Sequence, residues 1–454
     1  MKYFSSAHNQ SQNLRPPDLY EYYVDNYWFK AAGLENQAIN KPLRGSHNAD
    51  VVIVGGGFTG LSAALNIRHK FPNKKIVILE GARCGYGASG RNGGFCITTS
   101  LLDWNQKDPK RRKKDLEVSN YGINQIKMMI SKHGVNCDFN ESGMLEVAMN
   151  EKQIKYLEEY RDKLTSFGLE STLIQGKDLE SEIKSPLFIA GLKMPFGATL
   201  NPAKLALEMK RVVEGFGVEV RERTVVTRIT PGVVNHVDTE FGEIHAPILV
   251  IALNAYGHKL GFFKNWVFPV SVFQVATEPL TNDQWESIGW KNRQGLSDLR
   301  ALFSYSVPTA DGRIVMGGSD FTYYDKDALS SGNDKIVTKR VIADLFEFFP
   351  QLDGLKIEHT WGGTTAYTLG RIPVVGVMGD TQNIYFGTGF NEGVPASQTA
   401  GRIISDLMAG ESNKFTNHFI VNRNIPWAGP RFLRGFFSRA VKWMMVNWGY
   451  SPIH

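Results

Sequence analysis

The chain has 454 residues, 42% hydrophobic and 21% charged, enough to bury a large core and to divide into two or three domains. Its 51 basic and 45 acidic residues leave a formal charge of +6, too mild at this size to call for nucleic acid. The three cysteines, Cys84, Cys96 and Cys137, make no Cys-x-x-Cys pair and no metal-ligand set can be assembled, so a metal-free protein with reduced thiols in a cytoplasmic setting is expected.

In chain order, residues 1–48 read as an N-terminal extension, in which the aromatic stretch 20–32, with Tyr22, Tyr23, Tyr27, Trp28 and Phe29, is expected to pack on the body or roof a pocket. The first six residues lack the apolar centre of a signal peptide, and no run of eighteen apolar residues offers a membrane span. Val51-Val52-Ile53-Val54 then reads as a buried parallel strand running into Gly55, Gly57 and Gly60, with Phe58 and Thr59 opening a helix over 61–70. Such a turn cradles a pyrophosphate: the first glycine permits the bend, the second admits the anion, and the third lets helix and strand touch. A second strand, 76–79, ends at Glu80, placed to accept ribose hydroxyls and to repel a 2′-phosphate, which favours NAD or FAD over NADP. The glycine-rich run 81–94 follows, with Ser89, Arg91 and Asn92 as donors, a backbone able to press against a flat ligand. A nicotinamide enzyme needs no such loop there; a flavin does.

Gly55-Gly56-Gly57-Phe58-Thr59-Gly60, Glu80 and Ala88-Ser89-Gly90-Arg91-Asn92-Gly93-Gly94 together resemble the FAD-dependent D-amino-acid oxidase superfamily, and most closely its γ-glutamylputrescine oxidase branch, over residues 20–425. The resemblance implies an α/β fold. Its Rossmann-like FAD-binding domain (GR2-type) is built from discontinuous segments, 49–140, 201–262 and 356–412, and an α+β substrate domain on an antiparallel sheet is built from 141–200 and 263–355. It further implies that a meander of strands over 218–220, 224–229 and around Gly242 leads to a strand at 246–253. Val226 would then lie by the adenine and Ala252 and Asn254 by the phosphates.

Read from the residues themselves, Lys107 to Lys114 is a basic run forming the solvated start of the helix over 115–133, strands fall at 141–149 and 188–194, and helices at 151–167, 177–183 and 203–216. Strands over 269–277 and 301–320, with a turn at Asp311-Gly312, precede an amphipathic helix over 337–349. A strand at 383–387 and the turn Gly389-Phe390-Asn391-Glu392-Gly393-Val394 open a helix over 396–408, whose N–H groups suit the negative charge that develops on a flavin accepting hydride. Residues 413–454 form a tail in which the helix 431–448 sets Phe432, Leu433, Phe436, Phe437, Ala440, Val441, Met444, Met445 and Trp448 on one stripe, with Arg434, Arg439 and Lys442 opposite. It is expected to dock on the protein itself, with peripheral membrane contact as the alternative.

The departures from the family pattern carry the specificity. No cysteine follows Cys137 and no histidine lies in 88–95, the positions relatives use for covalent attachment, so non-covalent FAD is expected. Relatives that oxidise α-amino acids hold the carboxylate with an arginine just after a Trp-x-Gly-like motif; here that place falls at Thr364 or Thr365, unless Arg91 or Arg371 substitutes. Asn391-Glu392 replaces the Gly-His pair of many relatives. An amine on a longer chain is therefore the expected substrate, with Tyr305, Trp361, Thr365 and Tyr367 as pocket residues and O2 as acceptor. The rivals are a glycine, sarcosine or D-amino-acid oxidase and a dehydrogenase feeding a membrane quinone. A nucleic-acid partner is set aside because no aromatic platform accompanies the basic run.

Overall fold

The β-branched run Val51–Val54 is an inner strand of a six-stranded sheet in the computed structural model, which describes residues 26–329 and 332–448. The strand order is Val374–Met378, Ile384–Thr388, Ile248–Ile251, Val51–Val54, Ile76–Leu79 and Glu219–Arg221, parallel throughout except for the antiparallel first pair. Both faces are covered, which is why Val51–Val54 and Ile76–Leu79 show no polar alternation. Val51, Ile53, Ile76 and Ile78 pack with the helices Phe58–Lys70, Pro109–His133 and Gly393–Met408, while Val52, Val54, Val77 and Leu79 pack under a four-stranded layer. The helices meet closely: a methyl group on Gly401 would fall 2.3 Å from Ser62 Oγ, and one on Gly122 2.0 Å from the Pro395 carbonyl oxygen.

The four-stranded layer has the order Gly45–Asn48, Gly242–Ala246, Asn235–Thr239, Val226–Thr230. Gly45–Asn48, expected within the extension, is thus its edge strand, paired parallel to Gly242–Ala246. The strand expected at 218–220 as part of this meander is instead Glu219–Arg221, on the edge of the six-stranded sheet beside Ile76–Leu79.

The second large sheet has eight strands in the order Ile357–Thr368, Val267–Thr277, Ile314–Gly318, Ser304–Pro308, Gly295–Asp298, Met144–Ala148, Ala190–Met194, Thr172–Gln175. It is antiparallel apart from the parallel contact of Gly295–Asp298 with Met144–Ala148, and the helix Lys335–Phe348 packs on its back. Ile357–Thr368, placed by sequence in the last dinucleotide-binding segment, pairs along its whole length with Val267–Thr277 in this sheet.

The basic residues Lys110 to Lys114 form the first turns of their helix, which begins at Pro109 with Asp108 as cap, its carboxylate accepting the Lys110 N–H at 2.9 Å, and Lys107 precedes it. Tyr22 and Tyr23 lie outside the described residues, but Tyr27, Trp28 and Phe29 form a short buried helix capped by Asn26 and packed near Trp361. The helix Arg431–Trp448 departs from the expected orientation of its charges at Arg434, while Arg439 is exposed as expected. Arg434 is its buried anchor, donating to Asp327 at 3.0 Å, whereas Phe432, Phe436, Phe437, Trp443 and Val446 are exposed. Among the described residues, no helix is long and apolar enough to cross a membrane.

Candidate functional site

The carboxyl ends of Val51–Val54 and Ile76–Leu79 open onto a cavity of about 1900 Å³ that continues between the two large sheets. Gly55 sits at φ +110°, and a Cβ there would lie 2.5 Å from the Ala252 carbonyl oxygen; only glycine makes this bend. Gly57 faces the cavity beside Ser89, whose hydroxyl oxygen accepts the Phe58 N–H at 3.0 Å. Thr59, Val226 and Ala252 also line the space. Gly60 does not: it packs behind the turn, where a Cβ would fall 1.9 Å from the Gly55 carbonyl oxygen.

Glu80 accepts the N–H groups of Gly56 at 2.8 Å and Ala82 at 2.9 Å, one on each carboxylate oxygen. Each oxygen keeps a lone-pair direction for a further donor. Burial pushes this carboxyl up to about 7, against the two N–H groups, with Glu222 adding to the rise.

Within the glycine-rich loop, Ser89, Arg91, Asn92 and Gly93 line the cavity, while Gly90 and Gly94 pack behind it, Gly90 against the Gly85 carbonyl and Phe29, Gly94 against the Leu200 carbonyl. Asn92 braces the loop, donating to the Ala88 and Ser89 carbonyls and accepting the Gly94 N–H. Arg91 is a brace as well: its guanidinium donates to the Tyr86 carbonyl at 2.6 Å and the Gly362 carbonyl at 3.1 Å, and lies over Phe29 and Tyr86. Two of its donor nitrogens are thereby committed to backbone carbonyls.

On the opposite wall, Phe390, Asn391, Glu392, Gly393 and Val394 line the cavity before the helix Gly393–Met408. The expectation that every N–H from Gly389 onward faces a ligand is corrected: Asn254 Oδ1 accepts those of Gly389 at 3.1 Å and Phe390 at 3.2 Å, and Gly389 is off the cavity. Asn254 itself lines the space and so fastens one cavity wall to the other.

Of the four pocket candidates, Tyr305, Thr365 and Tyr367 line the cavity and Trp361 does not. Trp361 is 3% exposed, stands edge-on to Trp28, and gives its indole N–H to the Arg91 carbonyl oxygen at 3.0 Å. It is a brace for the loop. Thr365 donates its hydroxyl to the Phe390 carbonyl at 2.7 Å, and Tyr367 stacks on Phe268. Tyr305 presses on the glycine loop, close enough that a Cβ on Gly93 would be 2.5 Å from its ring. Burial holds the hydroxyls of Tyr305 and Tyr367 above the ordinary phenol range. Arg371 lines the cavity with its guanidinium over Tyr367 and 3.7 Å from Glu392.

Sequence reasoning missed Glu146, Tyr156 and Tyr160, which line the far end. The available signal was the strand Met144–Ala148, where one carboxylate interrupts an apolar run. Its neighbours Leu145 and Val147 face the core, so period-two alternation turns Glu146 toward the cavity.

A dinucleotide fits these residues. The turn at Gly55 and Gly57 leaves a cradle that side chains would fill, Glu80 offers ribose acceptors, and the loop at Gly93 leaves room for a planar group beside Tyr305. Fold and site therefore define a Rossmann-like flavoprotein oxidoreductase.

The chain belongs to the DAO family of FAD-dependent oxidoreductases, which it matches over residues 50–407. It is 31% identical over 431 residues to gamma-glutamylputrescine oxidoreductase of Escherichia coli (strain K12), covering 90% of this chain and 95% of that one. In fold it is similar to glycine oxidase from Geobacillus kaustophilus, with TM-score 0.71 and 18% identity over 84% of this chain and 100% of that chain. L-proline dehydrogenase from P. horikoshii superposes with TM-score 0.69 and 18% identity over 88% and 99% of the two chains.

Proposed function

We propose that this protein oxidises the C–N bond of an amine carried on a longer chain, of the γ-glutamylputrescine type. The observation that carries this reading is Thr365, whose hydroxyl is given to the Phe390 carbonyl where an α-amino-acid oxidase would hold a carboxylate with arginine. The ties of Arg91 to the Tyr86 and Gly362 carbonyls support it, as does the 31% identity to the E. coli enzyme.

Bound FAD supplies the two-electron acceptor. Glu80, the Gly55–Gly57 turn and the loop from Ser89 to Gly93 are the residues we assign to hold it, with Val226, Ala252, Asn254 and the turn 390–394 completing the wall. Non-covalent binding is supported by the cavity lining, which among the described residues includes no cysteine or histidine. Tyr305 and Tyr367 are assigned to flank the substrate as neutral phenols. The imine leaves as aldehyde after hydrolysis: R–CH2–NH2 + O2 + H2O gives R–CHO + NH3 + H2O2. We assign the six-stranded sheet with its four-stranded layer to the FAD-binding domain, and the eight-stranded sheet, including Ile357–Thr368, to the substrate domain. Three buried, unpaired thiols suit a reducing, cytoplasmic compartment.

The test is anaerobic bleaching of the flavin across a panel of amines, followed by air. Bleaching by γ-glutamylputrescine but not by glycine, sarcosine or D-alanine, with peroxide on reoxidation, is the expected result; the reverse preference overturns it.

A second reading of the acceptor rests on the exposed Phe432, Phe436, Trp443 and Val446, an apolar ridge suited to the interface of a lipid surface. Co-sedimentation with anionic vesicles, and its loss in a chain ending at residue 429, would favour membrane contact and a quinone acceptor over oxygen.

A further inference from the structure

One transverse row of the eight-stranded sheet runs along the cavity. Trp361 is paired with Gln274, Gln274 with Gly317, Gly317 with Tyr305, Tyr305 with Ser297, and Ser297 with Glu146. Directly paired residues point to the same face, so Glu146 shares the face of Tyr305 but stands two strands away, about 10 Å at the usual strand spacing. Ser297 between them is small and lines the same cavity. Tyr305 marks the end nearest the glycine loop, through its contact at Gly93. Glu146 marks the other end.

The surroundings of Glu146 suit a cation. Tyr156 and Tyr160, one helical turn apart and stacked, line the cavity with it, and Trp104 stands edge-on to Tyr160. Aromatic faces and a carboxylate together are what an ammonium group seeks when it leaves water. No hydrogen bond or ion pair reaches the Glu146 carboxylate among the described residues, although Arg371, Glu392 and the solvent-exposed Lys163 line the same cavity. Arg371 is directed to Glu392 and Tyr367. The carboxylate thus faces the cavity, where a ligand can pair it. Burial, with Glu392 as the lesser cause, raises its pKa to about 7.

We propose that Glu146 is a specificity residue that binds a second cationic nitrogen of the substrate, remote from the amine that is oxidised. This deepens the amine-oxidation reading and rests on it. The substrate class is then a chain with two positive ends, the second about 10 Å from the reacting carbon. At roughly 3.5 Å per three bonds of extended chain, that separation is about eight to nine bonds.

The experiment uses FAD-loaded protein, α,ω-diamines of increasing length and the matching n-alkylamines. In the wild type, kcat/KM for diamine over monoamine rises with length toward the predicted separation, and Glu146→Gln lowers that ratio by about ten- to a hundredfold, mainly through KM. Glu146→Asp retains part of the preference. Alongside, thermal-shift titration with non-oxidisable bis- and mono-quaternary alkylammonium ions reads binding without turnover. Tighter binding of the bis-cation by the wild type, lost in Glu146→Gln, supports the assignment even if no amine bleaches the flavin, an outcome that would sink the oxidation reading alone. A wild-type preference near one, or a preference that Glu146→Gln leaves intact, overturns the role of Glu146.

Discussion

Trp361 gives its indole N–H to the carbonyl oxygen of Arg91, and Gln274 donates to the same oxygen at 2.8 Å, so two neighbouring strands of the eight-stranded sheet hold the loop that faces the other sheet. Trp361→Phe removes one of these donors and keeps the ring. We expect a loss of about 1 kcal/mol in urea unfolding and faster flavin release, with little change in substrate KM. A large KM change without a stability change would return Trp361 to the substrate pocket.

The nucleotide turn separates folding from binding at two glycines. Gly60→Ala sets a methyl against the Gly55 carbonyl oxygen, a backbone atom that cannot step aside, so the apoprotein itself should lose several kcal/mol. Gly57→Ala meets only the Ser89 hydroxyl, and its cost should appear in FAD affinity while the apoprotein melts near the wild-type temperature. Differential scanning calorimetry with and without FAD distinguishes the two.

Glu80 makes a pH prediction. Its folded pKa of about 7 lies above the value near 4.5 expected when unfolded. As pH rises through that window the unfolded chain releases a proton that the folded apoprotein retains. Stability from this group is thus greatest below pH 4.5 and lost by pH 7, by at most about 3 kcal/mol. Glu80→Gln should flatten the fall in apoprotein stability between pH 5 and pH 8 relative to the wild type, and weaken FAD binding. Parallel curves for the two proteins would refute the shift.

Asp327 is fully buried, accepts from Arg434 and the Tyr323 hydroxyl, and is paired with Arg431. Asp327→Asn leaves the Arg434 guanidinium buried without its counter-charge, at a cost of about 3–5 kcal/mol to the docked helix. Hydrogen exchange should show residues 431–448 opening locally, together with the part of the cavity wall formed by Leu433, Phe437, Val441 and Met445. Protection equal to the wild type would mean that apolar contacts alone dock this helix.

What was legible in the sequence was local. The strand, glycine turn and helix from Val51 to Lys70 declare themselves because burial on both faces and close backbone approach restrict each position independently. Partners far along the chain were not legible. Ile357–Thr368 reads equally well beside either sheet until its register with Val267–Thr277 is seen, and Gly45–Asn48, exposed and polar, carries no strand pattern. Charge alone puts Arg434 opposite the apolar stripe; Asp327, 107 residues earlier, makes the interior the better place. Trp361 followed the motif that named it, yet its N–H points to the loop behind the cavity.

The central strand Val51–Val54 is flanked by Ile248–Ile251, which in turn is flanked by Ile384–Thr388. During synthesis at about 5–20 residues per second, roughly 20 to 70 seconds separate the emergence of the first of these from the last. For that interval a β-branched edge stands uncovered on the ribosome, an invitation to mispairing. Fragments that stop short of residue 384 should therefore depend on chaperones and accumulate as aggregates, even though they contain every residue of the first glycine turn.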